Sequence, residues 1–382
     1  MLRIGITCFP GVGGSGVVAA ELGKVLARRG HEVHFVTTDV PFRVEELSER
    51  VWFHQVTPMP YPVFQSTPYV LALATRLAEV TQRYGLDVIH AHYAIPHSTA
   101  AYLARMSCDT AVKVATTLHG TDTRLVGLDP SYRHIVRFSI NESDAVSAVS
   151  QHLAEASEAD LGLTRPVEVI HNFVDTQHFR PCKCPQLREM LSCGDRERIV
   201  MHVSNLRPIK RVFDIVRAHA TVTAATGARL VIVGDGPEKD DAQRLAGELG
   251  IGCKVTFLGR QDDVAPYLSC ADLFVMASEQ ESFGMSTLEA MSCGVAVVAP
   301  RVGGLPELVA HGETGTLTTP GDVEALAEAQ IALLTDDDRR RAMGDAGRQR
   351  ALEWFDTEVV VPRYETFYAR ALGNQANGQE SK

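Results

Sequence analysis

Two carboxylates, Glu281 and Glu289, flank the short stretch Ser-Phe-Gly-Met-Ser-Thr-Leu. The apolar run 271–277 before them has the length of a strand, and the residues after them have a helical pattern. The first N–H groups of a helix have no carbonyl partner and lie at the positive end of the helix dipole. The amides of Gly284, Met285 and Ser286 are therefore predicted to bind an anion, with phosphate the natural candidate.

The same stretch has a second interpretation. Ser286 and Glu289 have the spacing of a capping box, in which each side chain satisfies a main-chain N–H at a helix start. In the first interpretation Glu281 and Glu289 hold two separate groups of a ligand, whereas in the second Glu289 only stabilises the helix. The stretch alone leaves both interpretations open.

A basic loop follows the predicted strand 199–204. Its sequence, Asn205-Leu-Arg-Pro-Ile-Lys-Arg211, places three cations within five positions just before a helix. Such a cluster suits a diphosphate, and a solvated basic turn is the alternative. Two more loops, at Gly234 and at Arg260, follow the predicted strands 229–233 and 255–258.

Polar residues also follow the predicted strands of the N-terminal half. A strand from Leu86 ends in His90-Ala-His92-Tyr93, and the strand 112–118 is followed by His119-Gly-Thr121-Asp122. Ligands of open parallel sheets bind beyond the carboxyl ends of the strands, so these residues should face one crevice. A structural role is the alternative, above all for His90 and His92.

The glycine pattern Gly11-x-Gly13-x-x-Gly16 lies between the predicted strand 2–9 and the helix 17–29. With Asp39 at the end of the next strand, 32–37, it fits a dinucleotide-binding fingerprint. An NAD-dependent oxidoreductase is therefore an alternative function. It leaves the basic loop and the Glu281 stretch without a purpose, and glycines also serve any chain that turns tightly beside a ligand.

Strand and helix signals alternate along the whole chain, which predicts an α/β protein with parallel, doubly wound sheets. A length of 382 residues exceeds one ordinary core. We place an N-terminal Rossmann-like domain at 1–171, a C-terminal one at 172–353, and a final segment at 354–382. The polar tail after Gly373 is expected to be disordered.

The composition excludes several classes of protein. A net charge of -10 argues against a nucleic-acid surface, so an anionic ligand needs a local cluster of cations. No run reaches membrane-spanning length and the first residues form a poor signal peptide, so we expect a cytoplasmic protein without a membrane partner. Cys182-Lys-Cys184 with Cys193 lacks the spacing of a zinc site, and the other cysteines sit mostly in apolar stretches.

These motifs together resemble the retaining glycosyltransferases of family 4, which have the GT-B fold. The resemblance runs in order from the glycine loop, through Asn172-Phe-Val-Asp175, to the last helix. It implies two Rossmann-like domains facing a central cleft, with the acceptor bound by the first, the nucleotide sugar by the second, and the last helix crossing back to the first domain. Most members have an arginine where this chain has Asn205. The diphosphate-binding role of that arginine is therefore assigned to Arg207.

The resemblance also implies roles for individual residues. The implied catalytic residues are His119, Lys210, Arg207 and Glu281. The implied donor-binding residues are Gly13, Gly14, Asn205, Gly234, Arg260, Phe283, Gly284, Met285, Ser286 and Glu289. The implied acceptor-binding residues are Ser15, Tyr93, Thr121 and Arg137, and an ion pair between Arg137 and a surface carboxylate such as Glu142 is the alternative for Arg137.

Within this family the glycine loop, the His90 and His119 segments and the basic loop resemble the subgroup that acts in bacillithiol biosynthesis. That similarity implies transfer of N-acetylglucosamine from UDP-N-acetylglucosamine to the hydroxyl of L-malate, with retained configuration. Another donor or acceptor within the family, and a non-catalytic sugar-binding protein, are alternatives. No Asp-x-Asp pair ends a strand at a plausible site, so no metal and no other cofactor is expected. A homo-oligomer is compatible with these features.

Overall fold

The computed structural model describes residues 1–11, 13–44, 49–60, 66–192 and 197–373. The chain forms two compact units: one contains Met1–Asn172 together with the segment from Glu358 onward, and the other is Phe173–Thr357. Each unit is built on one parallel sheet, so the predicted α/β class is confirmed. No helix in these ranges is long and apolar enough to cross a membrane.

The first unit has a seven-stranded parallel sheet in the order β3-β2-β1-β4-β5-β6-β7. The strands are β1 Arg3–Thr7, β2 Glu32–Thr37, β3 Val51–Gln55, β4 Val88–His92, β5 Lys113–Leu118, β6 Ala145–Ala148 and β7 Val167–Val169. The helices are α1 Gly14–Arg28, α2 Tyr69–Tyr84, α3 Thr99–Ser107, α4 Arg133–Asn141 and α5 Gln151–Leu161, joined by most of the C-terminal helix, Thr357–Ala371.

The strand order of this unit reverses at β1, with β2 on one side and β4 on the other. Such a switch point opens a crevice at the carboxyl ends of the strands. The glycine loop leaves β1 and Tyr93 follows β4 at this place. Gly16 is required here because a Cβ atom would lie 2.4 Å from the carbonyl oxygen of Phe9.

The second unit has a six-stranded parallel sheet in the order β10-β9-β8-β11-β12-β13. Its strands are β8 Ile199–Val203, β9 Arg229–Val233, β10 Val255–Gly259, β11 Leu273–Val275, β12 Ala296–Pro300 and β13 Gly315–Thr318. Its helices are α6 Pro185–Leu191, α7 Val212–Thr226, α8 Lys239–Glu248, α9 Ala265–Ser269, α10 Met285–Ser292, α11 Leu305–Leu308, α12 Val323–Leu334 and α13 Asp337–Trp354.

The switch point of the second unit lies at β8, between β9 and β11. The basic loop leaves β8 and the Glu281 stretch leaves β11, so the sheet brings these two motifs together. Gly303 permits a third loop to approach, because a Cβ atom there would lie 1.8 Å from the carbonyl oxygen of Glu281. Gly304 then donates its N–H to that carbonyl at 3.0 Å.

The boundary between the units differs slightly from the sequence-based placement. The first unit runs through Asn172, and the second continues to Thr357, beyond the predicted residue 353. The reason is that Phe355 packs on Phe283, with ring centroids 5.6 Å apart, and accepts a main-chain hydrogen bond from Val174. The tail predicted to be disordered, and Cys193, lie outside the described residues.

Candidate active site

An ion pair joins the two motifs at the switch point of the second unit. The Lys210 Nζ atom donates to Glu281 Oε2 at 2.6 Å, and the side chains are 20% and 15% exposed. Lys210 ends a short 3₁₀ turn, Pro208–Lys210, and the amide of Glu279 donates to the carbonyl of Ile209 at 2.9 Å. Two residues that the sequence predicted to be catalytic are thus in direct contact.

The three cations of the basic loop do not act as one cluster. Arg211 donates to Asp214 at 2.6 Å and lies 3.9 Å from Glu279, so its charge is used at the start of α7. Arg207 and Asn205 are exposed. Within the described chain the Arg207 guanidinium makes no hydrogen bond or ion pair. Arg211 is thus held at the start of α7, Lys210 is paired with Glu281 at the switch point, and Arg207 is exposed beside them in the same loop.

Helix α10 begins at Met285, and Gly284 is its N-cap with a φ of 104°. Gly284 has no side chain to cap this helix, and Ser286 lies two residues past the N-cap, inside the first turn. The capping-box interpretation of Ser286 and Glu289 is therefore wrong. The amides of the first turn point along the helix axis towards any anion at this end.

Two predicted donor-binding residues on this segment are buried. Glu289 lies in the second turn of α10 and is 6% exposed. Phe283 is 1% exposed, in the core against Phe355. A donor contact at position 283 would therefore use the main chain.

Gly234 and Arg260 lie beyond the carboxyl ends of β9 and β10. The amide of Gly234 donates to the carbonyl of Gly259 at 2.8 Å, which ties the two loops together. Arg260 is exposed and lies 3.6 Å from Asp262. Both residues are therefore on the same edge of the sheet as Lys210.

In the first unit, three loops bring predicted residues together. Gly13 is the N-cap of α1, Gly14 starts this helix, and the Ser15 hydroxyl donates to the Tyr93 hydroxyl at 3.0 Å. The ring of Tyr93 lies 5.2 Å from that of His119. Ser15, Tyr93 and His119 thus form one polar surface at the switch point.

The other two predicted acceptor residues lie on exposed positions. Thr121 begins a helical turn, Thr121–Leu125, and Arg137 lies on α4. Within the described chain Arg137 makes no ion pair, and Glu142 lies 4.0 Å from Arg105 instead. The alternative of an Arg137–Glu142 pair is therefore wrong.

The histidines of these loops have separate roles. His90 bonds Tyr368 through Nδ1 at 2.8 Å and Thr117 through Nε2 at 2.7 Å, so it is structural, as the alternative for this residue held. His92 Nδ1 lies 2.9 Å from His119 Nε2. Burial lowers the pKa of His119 to about 3 and that of His92 well below its usual value, so this pair is neutral at pH 7.

Sequence reasoning assigned no role to one residue of this site. Asp122 is 1% exposed, and its carboxylate accepts hydrogen bonds from the main chain of Ala94, His119 and Gly120. Burial raises the pKa of Asp122, and the main-chain hydrogen bonds oppose that effect. The only signal in the sequence was its position after a strand that ends in polar residues.

Comparison with known proteins identifies the family. Residues 12–178 match the model of Glycosyltransferase Family 4, and residues 185–350 match that of Glycosyl transferases group 1. The chain is 45% identical to N-acetyl-alpha-D-glucosaminyl L-malate synthase of Bacillus anthracis, over 99% of both chains. The chain belongs to the family 4 glycosyltransferases. A D-inositol 3-phosphate glycosyltransferase of Mycobacterium bovis is 31% identical, over 94% of this glycosyltransferase and 79% of that protein.

Solved structures support the GT-B fold of this glycosyltransferase. Sucrose-phosphate synthase of Thermosynechococcus elongatus matches with a TM-score of 0.81, at 23% identity over 98% of this chain and 100% of that one. Anabaena HepE in complex with UDP and glucose matches with a TM-score of 0.79, at 24% identity over 96% and 99%. The family and fold predicted from the sequence are confirmed, and the matches favour a glycosyltransferase over an NAD-dependent oxidoreductase.

The cysteine motif of this glycosyltransferase lies away from these loops. The Sγ atoms of Cys182 and Cys184 are 2.8 Å apart just before α6. In the described ranges no three His, Cys, Asp or Glu side chains are placed to hold a metal ion.

Proposed function

We propose that this glycosyltransferase transfers N-acetylglucosamine from UDP-N-acetylglucosamine to the hydroxyl of L-malate, with retained anomeric configuration. The observation that carries the proposal is the 45% identity to the Bacillus anthracis malate synthase over 99% of both chains. The first unit would bind malate and the second the nucleotide sugar. We further propose that the reaction occurs in the cytoplasm.

The loops of the second unit fit a nucleoside diphosphate. Lys210, Arg207 and the first-turn amides of α10 supply positive charge and N–H donors within one switch point. Glu281, held by Lys210, would contact the sugar, and Glu289 would contact the ribose from inside α10. Gly234 and the main chain beside Arg260 would line the nucleotide side.

The proposed chemistry is a front-face displacement. The malate hydroxyl attacks the anomeric carbon as the bond to the diphosphate breaks, and the hydroxyl proton passes to a departing phosphate oxygen. Preorganised cations and N–H groups stabilise the charge that grows on the diphosphate. A double displacement would instead need a carboxylate nucleophile at the anomeric carbon. Glu281 is not proposed as this nucleophile, because Lys210 already holds its carboxylate at 2.6 Å.

The acceptor would be held in the first unit. Malate carries two carboxylates, and a protein of net charge -10 needs a local cation and hydrogen-bond donors to bind them. Ser15, Tyr93 and Thr121 offer hydroxyl groups, and Arg137 offers a full charge. His119 would contact the donor sugar from the next loop. We propose that no divalent metal takes part, since Lys210 and Arg207 can neutralise the diphosphate.

The experiment is to incubate the protein with UDP-N-acetylglucosamine and L-malate and to identify the product by NMR. An α-linked N-acetylglucosaminyl malate, formed equally well in EDTA, is the expected result. Parallel reactions with UDP-glucose and with inositol phosphate test the other donor and the acceptor type named in the 31% identical relative. Faster transfer in one of those reactions would replace this proposal, and binding of NAD in place of UDP would overturn it.

A further inference from the structure

The segments after β4 and β5 have unusual main-chain conformations. Tyr93 has a φ of 95° and Gly120 a φ of 104°. A positive φ is uncommon for a residue with a side chain, and it persists only where the surroundings hold it. These two loops carry the Tyr93 hydroxyl and the His119 imidazole, so something must hold them in place.

The Asp122 carboxylate links the two loops. Its Oδ2 atom accepts from the Ala94 amide at 2.9 Å, next to Tyr93. Its Oδ1 atom accepts from the amides of His119 at 3.2 Å and Gly120 at 2.9 Å. Both oxygens are used, each on a different loop, and Asp122 is 1% exposed. Few groups other than a carboxylate can offer two acceptor atoms in opposite directions.

We propose that Asp122 is a positioning residue that sets the relative placement of Tyr93 and His119 for the acceptor reaction. The inference rests on the proposed function, because it assigns Tyr93 to the acceptor and His119 to the donor sugar. Asp122 does not contact substrate in this scheme. It acts through three main-chain amides, and its loss would let the two loops move independently.

The test is the variant Asp122→Asn, which keeps the size of the side chain but has only one acceptor oxygen. One loop then faces an NH₂ group instead of an oxygen. We expect kcat/KM for malate to fall at least 30-fold, with the dissociation constant of UDP within threefold of wild type. Hydrogen exchange followed by mass spectrometry should be faster in peptides that cover residues 93–98 and 119–125.

Asp144→Asn is a matched control in the same unit. The Asp144 carboxylate also accepts a main-chain N–H, from Val114 at 2.9 Å, but at the start of β5, and it pairs with Arg105 and Lys113. This variant should keep kcat/KM for malate within threefold and leave exchange at 93–98 and 119–125 unchanged. An Asp122→Asn enzyme within threefold of wild type, or an equal loss in both variants, would overturn the proposal.

Exchange in the wild-type protein tests the same idea without any variant. The amides of Ala94, His119 and Gly120 should be at least 100-fold more protected than those of the loop 109–111, which donate no hydrogen bond within the described residues. Exchange of these amides as fast as in that loop would overturn the positioning role, even if Asp122→Asn fails to fold. If wild-type protein shows the protection but does not glycosylate malate, the proposed function fails and the link between the loops stands.

Discussion

Replacement of Lys210 by alanine tests the assignment of the diphosphate site. If Lys210 stabilises the charge that develops on the leaving group, Lys210→Ala should lower kcat by about 10²-fold, since such a preorganised charge contributes roughly 3 kcal/mol. The position of the side chain supports this value. Its Nζ atom lies at the switch point of the sheet, 2.6 Å from Glu281, and is only 20% exposed.

The expected effect on stability is much smaller. The Lys210–Glu281 pair is partly solvated, and ion pairs of this kind contribute about 0–1 kcal/mol to the free energy of unfolding. The loss of Lys210 should therefore lower this free energy by about 1 kcal/mol at most. Because the kinetic loss is expected to be several times larger, the two effects can be separated.

Steady-state UDP release at saturating malate measures the kinetic effect, and urea unfolding measures the stability. Lys254→Ala is the control, because Lys254 forms a similar ion pair, 2.7 Å from Glu197, at the opposite ends of the strands in the same unit. It should show a comparable stability loss and an unchanged kcat. A Lys210→Ala enzyme within fivefold of wild type, or an equal kinetic loss in Lys254→Ala, would refute the reasoning.

Four further outcomes are expected. Glu289→Gln should raise the dissociation constant of UDP about tenfold, a loss of about 1.4 kcal/mol, in calorimetric titration; an unchanged constant removes Glu289 from the nucleotide site. Arg137→Ala should raise the KM for malate at least tenfold and leave that for the UDP sugar unchanged, whereas Arg133→Ala on the same helix should change neither. Treatment with EDTA should leave the rate of product formation unchanged, and a loss restored by Mg²⁺ would contradict the diphosphate scheme. Burial lowers the pKa of His90 and of His119 to about 3, whereas a histidine of the unfolded chain takes up a proton as the pH falls below about 6.5. Each of these histidines should therefore lower the free energy of unfolding by about 2 kcal/mol at pH 5. In urea unfolding, the loss of stability between pH 7 and pH 5 should be about 2 kcal/mol smaller for His90→Gln than for wild type, and an equal loss would contradict this.

Much of the fold could be predicted because both sheets are parallel and buried. Strand β9 has the apolar run Leu-Val-Ile-Val after Arg229, β2 is buried over five of its six residues, and the predicted bounds of both agree with the structure. Strand β3 was missed because its sequence, Val-Trp-Phe-His-Gln, has no regular alternation. Strand β3 is stabilised by packing on its neighbour β2, where Trp52 stacks on His34 with ring centroids 4.8 Å apart.

The sequence predicts which loops form the candidate site, but not the side-chain contacts between them. Strand ends at a switch point converge, so the basic loop and the Glu281 stretch could be placed together before the structure was known. The Lys210–Glu281 contact itself joins residues 71 positions apart and depends on the loop conformations. Arg211 could have been separated from the cluster, because Arg211 and Asp214 have the i, i+3 spacing of a helical ion pair. The hydrogen bond between Asp122 and the amide of Ala94 joins residues 28 positions apart, and no local spacing in the sequence indicates it.

The Ser286 and Glu289 pattern shows how a small boundary difference changes a functional interpretation. A capping box requires Ser286 to precede the first helical residue, and helix starts are uncertain from sequence by a few residues. Gly284, at a φ of 104°, makes the turn instead, and α10 begins at Met285. Ser286 then lies in the first turn, where its amide faces the helix end rather than a capping side chain. The first-turn amides of α10, among them that of Ser286, are therefore the groups at this helix end that can bind an anion, and Glu289 lies a turn further along the helix.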